Sequence, residues 1–138
     1  MPFVLDASLA MSWCFADEST PYSRAVLGVL TDTWAEVPAL WLTEIANVLA
    51  VNERKGRIGA AIADAFLETL GALDIHVEQP VPPIDGRLLL PLVRRYRLTA
   101  YDAAYLELAQ RRNLPLATLD KDLMTAARQA GIALVGQS

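Results

Sequence analysis

Four acidic residues of this chain stand alone in apolar surroundings, and that isolation says what chemistry is open to it. Asp6 is the single charged side chain among the first sixteen residues, and Glu44 is the single one in VPALWLTEIANVLAVN, between Glu36 and Glu53. Asp102 in LTAYDAAYLELA and Asp120 in NLPLATLD repeat the pattern. A carboxylate in a segment destined for the core is costly to desolvate unless a positive charge compensates it or its pKa rises. Four of them point to a fold that gathers the acids around a cation. Helix capping is the competing explanation for three: Asp120 can cap the helix opening at Lys121, and Asp6 the one entered through Ser8. Thr99 and Asp102 have capping-box spacing, in which the acid reaches back to free amides. Glu44 has no such role, because Pro38 already opens its helix and Glu44 falls in the second or third turn among Leu40, Ile45 and Val48.

The remaining inventory narrows the chemistry by exclusion. His76 is the only histidine, and it falls in an expected strand, so a serine–histidine–aspartate hydrolase or a histidine-rich zinc site has little support. A core or surface role suits it better. No Gly-x-x-x-x-Gly-Lys loop and no Gly-x-Gly-x-x-Gly turn occurs, which argues against an NTPase or a dinucleotide oxidoreductase. The lone Cys14 excludes an intramolecular disulfide and, between Trp13 and Phe15, reads as a small buried hydrophobe in a reducing interior. Any reaction here falls to the acids and a metal.

The elements that position these acids follow from the alternation of short apolar runs with longer helical ones. Phe3-Val4-Leu5 reads as a buried strand, followed by a helix from about Ser8 to Phe15 and another from Pro21 through Leu30. A short extended piece near Glu36-Val37 leads to a long helix that begins around Pro38 and ends near Gly56. Residues 59–71 carry a further alanine-rich helical pattern, Ile75 to Glu78 a strand, and Pro80, Pro82 and Pro83 a loop. From Gly86 the chain reads as mostly helical to Arg112. Leu116 to Thr118 is a strand, Lys121 to Ala130 a helix with Gly131 at its C-terminal cap, and Ile132 to Val135 a last strand. Such alternation argues for an α/β fold with a mainly parallel sheet, because parallel strands need crossover connections. Ligands of open sheets of this class bind beyond the carboxyl ends of the strands, where Asp6 and Asp120 fall.

With 138 residues, 54% of them hydrophobic and 20% charged, the chain reads as a single globular domain spanning residues 1–138. No basic stretch precedes an apolar one at Met1-Pro2-Phe3, and no uncharged apolar run reaches the ~18 residues of a membrane span, so a cytoplasmic protein is expected. The formal net charge is −4, without the basic balance of many nucleic-acid binders. Basic residues are nevertheless clustered, as Arg54-Lys55-Arg57, Arg94-Arg95-Arg97 and Arg111-Arg112. These clusters suit either a path for a phosphate backbone or solvated helix ends.

VLDAS with Asp6 and Ser8, TEIANVL with Glu44, LTAYDAAYLELA with Asp102, and ATLDKDL with Thr118, Asp120 and Asp122 together resemble the PIN-domain ribonucleases. Their order, spacing and the chain length are similar to those of the toxins in VapBC-type toxin–antitoxin pairs, over nearly the whole chain. The resemblance implies a three-layer α/β/α sandwich with the acids converging in a pocket that holds Mg²⁺, or Mn²⁺ as the alternative. It implies an endoribonuclease that hydrolyses phosphodiester bonds through a metal-activated water, with Asp6 and Asp102 binding the metal directly and Glu44 and Asp120 directly or through water. Ser8 and Thr118 are supporting hydroxyls, and Asp122 a weaker supporting acid. It also implies a homodimer and a small VapB-type antitoxin that covers a hydrophobic patch, to which Trp13, Trp34 and Trp41 are candidates unless they simply pack the core. The alternatives are a PIN nuclease of RNA processing that is no toxin, an Mg²⁺-dependent aspartyl-phosphate domain, although Asp6-Ala-Ser lacks the second acid of an Asp-x-Asp motif, and a binding module whose acidic pocket receives a partner's arginine.

Overall fold

The computed structural model describes residues 1–79 and 86–136. The proline loop expected at Pro80, Pro82 and Pro83 lies outside the described residues. Strands β1 (Phe3–Leu5), β2 (Ala35–Val37), β3 (Ile75–Val77) and β4 (Leu116–Ala117) form one parallel sheet in the order β3-β2-β1-β4. Between and beyond them lie helices α1 (Ala7–Met11), α2 (Pro21–Val29), α3 (Leu40–Arg54), α4 (Ala60–Gly71), α5 (Gly86–Tyr96), α6 (Ala100–Arg112) and α7 (Lys121–Gln129). Phe3, Val4 and Leu5 are all fully buried. Successive side chains of a strand point to opposite faces, so burial of all three means that helices cover both faces of the sheet.

The strand order decides where a site can form. From β1 the chain steps outward through β2 to β3, then returns so that β4 lies on the other side of β1. The order therefore reverses between β1 and β4, and the crevice beyond their carboxyl ends is the position where open α/β sheets bind ligands. Asp6 directly follows β1, and Thr118 directly follows β4.

Local signals account for most helix boundaries. Thr20 and Ser23 form a reciprocal capping box with Pro21 in the first turn of α2. Thr99 caps α6 by accepting from the Asp102 amide, and Asp120 caps α7 by accepting from that of Leu123. Gly56 and Gly131, each at φ 74°, supply the left-handed residue just past α3 and α7.

Three expected elements differ from those observed. The first helix ends at Met11 rather than Phe15, because the chain tightens into i→i−3 bonds at Ser12, Trp13 and Cys14, and Trp13 donates its indole N–H to the Ser23 carbonyl. The long helical stretch from Gly86 breaks at Arg97, which takes a left-handed φ of 55° before Thr99 restarts the helix. The last strand is reduced to a single bridge between Leu134 and Leu116, held by hydrogen bonds from Leu116 to Ala133 and from Val135 to Leu116. Cys14 is only half-buried rather than a core residue. Among the described residues no helix is long and apolar enough to cross a membrane.

Candidate active site

Asp6 is 3% exposed and is held from both sides. Its amide donates to the Ala117 carbonyl, extending the β1–β4 ladder by one bond. Its Oδ2 accepts from the Ser8 hydroxyl and the Thr118 hydroxyl, each at 2.6 Å. The Thr118 hydroxyl in turn accepts from the Asp120 amide at 3.0 Å, and Asp120 Oδ1 accepts from the Leu123 amide at 2.8 Å. A single chain of hydrogen bonds thus runs from the head of α7 to Asp6. Burial pushes the Asp6 carboxyl above its ordinary range, and the hydroxyls of Ser8 and Thr118 offset part of that rise.

Glu44 reaches the same region from α3. Its Oε1 accepts from the Tyr105 hydroxyl at 2.6 Å, and the same hydroxyl accepts from the Ala7 amide at 3.3 Å. Burial raises the Glu44 carboxyl, the Tyr105 hydrogen bond lowers it, and the charge of Asp6 raises it again. Burial, with the hydrogen bond to Glu44 next, drives the Tyr105 phenol far above its ordinary pKa.

Asp102 carries the largest consequence. Burial, followed by the charges of Asp120, Asp6, Glu44 and Asp122, pushes its carboxyl from the ordinary 3.8 up to about 7. The capping box read from the sequence forms only in one direction, with Thr99 accepting from the Asp102 amide at 3.1 Å. Among the described residues no donor and no basic side chain reaches the Asp102 carboxylate. The fold therefore brings Asp6, Glu44, Asp102, Asp120 and the exposed Asp122 into one electrostatic neighbourhood without a compensating charge. Among the described residues no group of three or more His, Cys, Asp or Glu is arranged to hold a metal ion.

The sequence profile of the PIN domain family matches residues 3–129. The chain belongs to the PIN domain family. That family consists of nucleases. No curated protein sequence matches the chain, but solved structures share the PIN fold over nearly its full length. PAE2754 from Pyrobaculum aerophilum is 21% identical with a TM-score of 0.71, over 100% of this chain and 88% of that one. VapBC2 from Rickettsia felis, bound to a DNA fragment from their promoter, is 12% identical with a TM-score of 0.68, over 97% of both chains. FitAcB from Neisseria gonorrhoeae is 18% identical with a TM-score of 0.63, over 97% of this chain and 96% of that one.

The donor set of this PIN domain suits a hard divalent cation. It is all oxygen, and Mg²⁺ keeps several waters and needs only one or two carboxylates as anchors. An acid raised to about 7 by burial and by the charges of its neighbours is what such a cation would relieve.

The basic clusters divide by partner. Arg111 pairs with Glu78 and Glu107, and Arg112 with Glu36, so this cluster braces α6 against the strand ends instead of facing a phosphate. Arg57 pairs with Asp17, donates to Asn52 and lies over the Phe15 ring. Arg94 and Arg95, in the last turn of α5, and Arg97, in the connection to α6, are exposed, and among the described residues none meets a carboxylate. The tryptophans divide as well: Trp41 is core, Trp13 is partly buried, and Trp34 stacks on the exposed His76, which also bonds Asp74. Sequence reasoning gave no role to Tyr105. The available signal was its position three residues after Asp102, on the same face of a helix.

Proposed function

We propose that this PIN domain is a divalent-metal-dependent endoribonuclease and the toxin of a type II toxin–antitoxin pair. The observation that carries the nuclease reading is Asp102, half-buried among four carboxylates with no compensating group among the described residues. Asp6 and Asp102 hold the cation, Mg²⁺ or Mn²⁺, and Glu44 and Asp120 bind it directly or through water. When bound, such a cation lowers the pKa of water and offsets charge on phosphate oxygens. The protein's own contribution is orientation. Ser8 and Thr118 fix the Asp6 carboxylate through Oδ2, and Thr118 ties that bond to the head of α7 through the Asp120 amide. Arg94, Arg95 and Arg97, five to eight residues before Asp102 in sequence and exposed, are the phosphate-binding forks of this reading.

The toxin reading is supported by the fold shared with VapBC2 and FitAcB across almost the whole chain. An apolar groove lined by Trp41, Leu42, Ile45, Leu67, Leu70 and Val77 suits the apolar side of a small antitoxin's helix. The protein acts in the cytoplasm as a homodimer.

Cleavage of RNA by protein freed of any co-purifying partner tests the proposal. Activity is expected to require Mg²⁺ or Mn²⁺ and to fall by roughly a hundredfold or more in Asp6→Asn and in Asp102→Asn while the circular dichroism spectrum is unchanged. Cleavage that resists a chelator rejects the mechanism. A small arginine-bearing protein that co-purifies and suppresses cleavage supports the toxin reading, and RNA cleavage with no such partner favours an RNA-processing nuclease.

A further inference from the structure

Tyr105 heads the fully buried side chains of the core by volume, yet it carries a polar group that phenylalanine would avoid. A buried hydroxyl is costly unless it is hydrogen-bonded, and this one is bonded twice. It donates to Glu44 Oε1 and accepts from the Ala7 amide. Ala7 is the first residue of α1 and the direct neighbour of Asp6, and Tyr105 itself lies three residues beyond Asp102 on α6. The helices that carry Glu44 and Asp102 and the backbone directly after Asp6 therefore meet at one oxygen.

The first amides of a helix lack internal partners. Tyr105 supplies one to Ala7, the first residue of α1, and that bond fixes the hydroxyl against the backbone directly after Asp6.

We propose that Tyr105 is the positioning residue of the acidic site: its hydroxyl, anchored by the Ala7 amide next to Asp6, fixes Glu44 relative to Asp6, so that both carboxylates serve one divalent cation. The proposal rests on the metal-dependent reading above and deepens it. Tyr105 acts through Glu44, with the Ala7 amide as its anchor, and touches neither cation nor RNA.

Mn²⁺ binding by isothermal titration, alongside kcat and KM for RNA cleavage, tests it in Tyr105→Phe, Glu44→Gln and the double variant. Phenylalanine keeps the ring and the packing. Tyr105→Phe is expected to weaken Mn²⁺ about tenfold and to lower kcat at limiting Mn²⁺ by a similar factor, with excess Mn²⁺ restoring part of it and KM for RNA changing less than about twofold. The double variant is expected to match Glu44→Gln alone, because the hydroxyl acts through that carboxylate. An unchanged Mn²⁺ Kd in Tyr105→Phe, a Glu44→Gln indistinguishable from wild type, or losses that multiply in the double variant each overturn the proposal. Should Tyr105→Phe fail to fold, Ala7→Pro removes only the amide anchor at a first-turn position that suits proline, and an unchanged Mn²⁺ Kd there overturns it equally. Wild-type protein that binds Mn²⁺ but cleaves no RNA defeats the nuclease reading and leaves the Mn²⁺ affinities to decide Tyr105. Wild-type protein that binds no Mn²⁺ defeats both.

Discussion

The hydroxyl of Thr118 donates to Asp6 Oδ2 at 2.6 Å, joining residues 112 positions apart in sequence. The bond crosses the gap between the ends of β4 and β1, and the same hydroxyl oxygen accepts from the Asp120 amide. Thr118→Val preserves the shape of the side chain and leaves a buried carboxylate oxygen and an amide short of a partner. A loss of about 1–3 kcal/mol is expected in urea unfolding, with Thr118→Ser close to wild type. Equal stability of the valine variant would show that the hydroxyl contributes nothing.

Mutual repulsion of the acids predicts a response to metal. Binding only to the native state stabilises it, by about 2.7 kcal/mol at a hundredfold excess over Kd. Millimolar Mg²⁺ or Mn²⁺ should raise the Tm by several degrees, and the gain should shrink in Asp102→Asn. A melting curve indifferent to both ions counts against the cation site.

Without metal, burial of these acids together with their mutual repulsion sets a pH dependence. The Asp102 carboxyl titrates near 7 in the folded protein against an ordinary 3.8, and those of Asp6 and Glu44 are shifted in the same direction. The native state therefore holds more protons than the unfolded one between these values, and stability falls as pH rises. The contribution from Asp102 is fully present below about pH 3.8 and is lost as the pH passes through about 7. In chelator, the wild type should lose more Tm than Asp102→Asn between pH 5.5 and 8, and parallel profiles would contradict the shift.

Sorting the arginines by partner predicts two phenotypes. Arg94→Ala with Arg95→Ala should weaken RNA binding with little change in stability, and reduce the slope of log K against log salt by about 0.7 for each phosphate no longer neutralised. Arg112→Ala should leave RNA affinity alone and cost about 0.5–1 kcal/mol, since its pair with the mostly buried Glu36 is half-exposed on the arginine side. The opposite assignment, found by filter binding at two salt concentrations, would reverse the roles given to the clusters.

Much of the fold could be read from local chemistry. Phe3-Val4-Leu5 is apolar on both faces because it lies inside the sheet, Thr20, Thr99 and Asp120 mark helix starts, and Gly56 and Gly131 mark helix ends. The errors fell where distant partners prevailed over local propensity. Trp13 leaves the expected helix to reach the Ser23 carbonyl, and the Ile132–Val135 strand shrinks to one bridge. Arg111 and Arg112 looked like Arg94 and Arg95 in sequence because charge runs do not reveal the carboxylates they will meet.

The candidate site divides along the same line. Isolation of Asp6, Glu44, Asp102 and Asp120 among apolar neighbours is a property of the sequence, since the cost of desolvating a charge is known once its segment is known to be buried. Which oxygen each acid presents, and who holds it, was decided by the tertiary structure. The β3-β2-β1-β4 order sets Thr118 against Asp6, and the packing of α6 on β1 and of α1 on α3 gives Tyr105 to both Ala7 and Glu44. Hydrogen bonds act over about 3 Å, and only folding brings residues 61 to 112 positions apart within that distance.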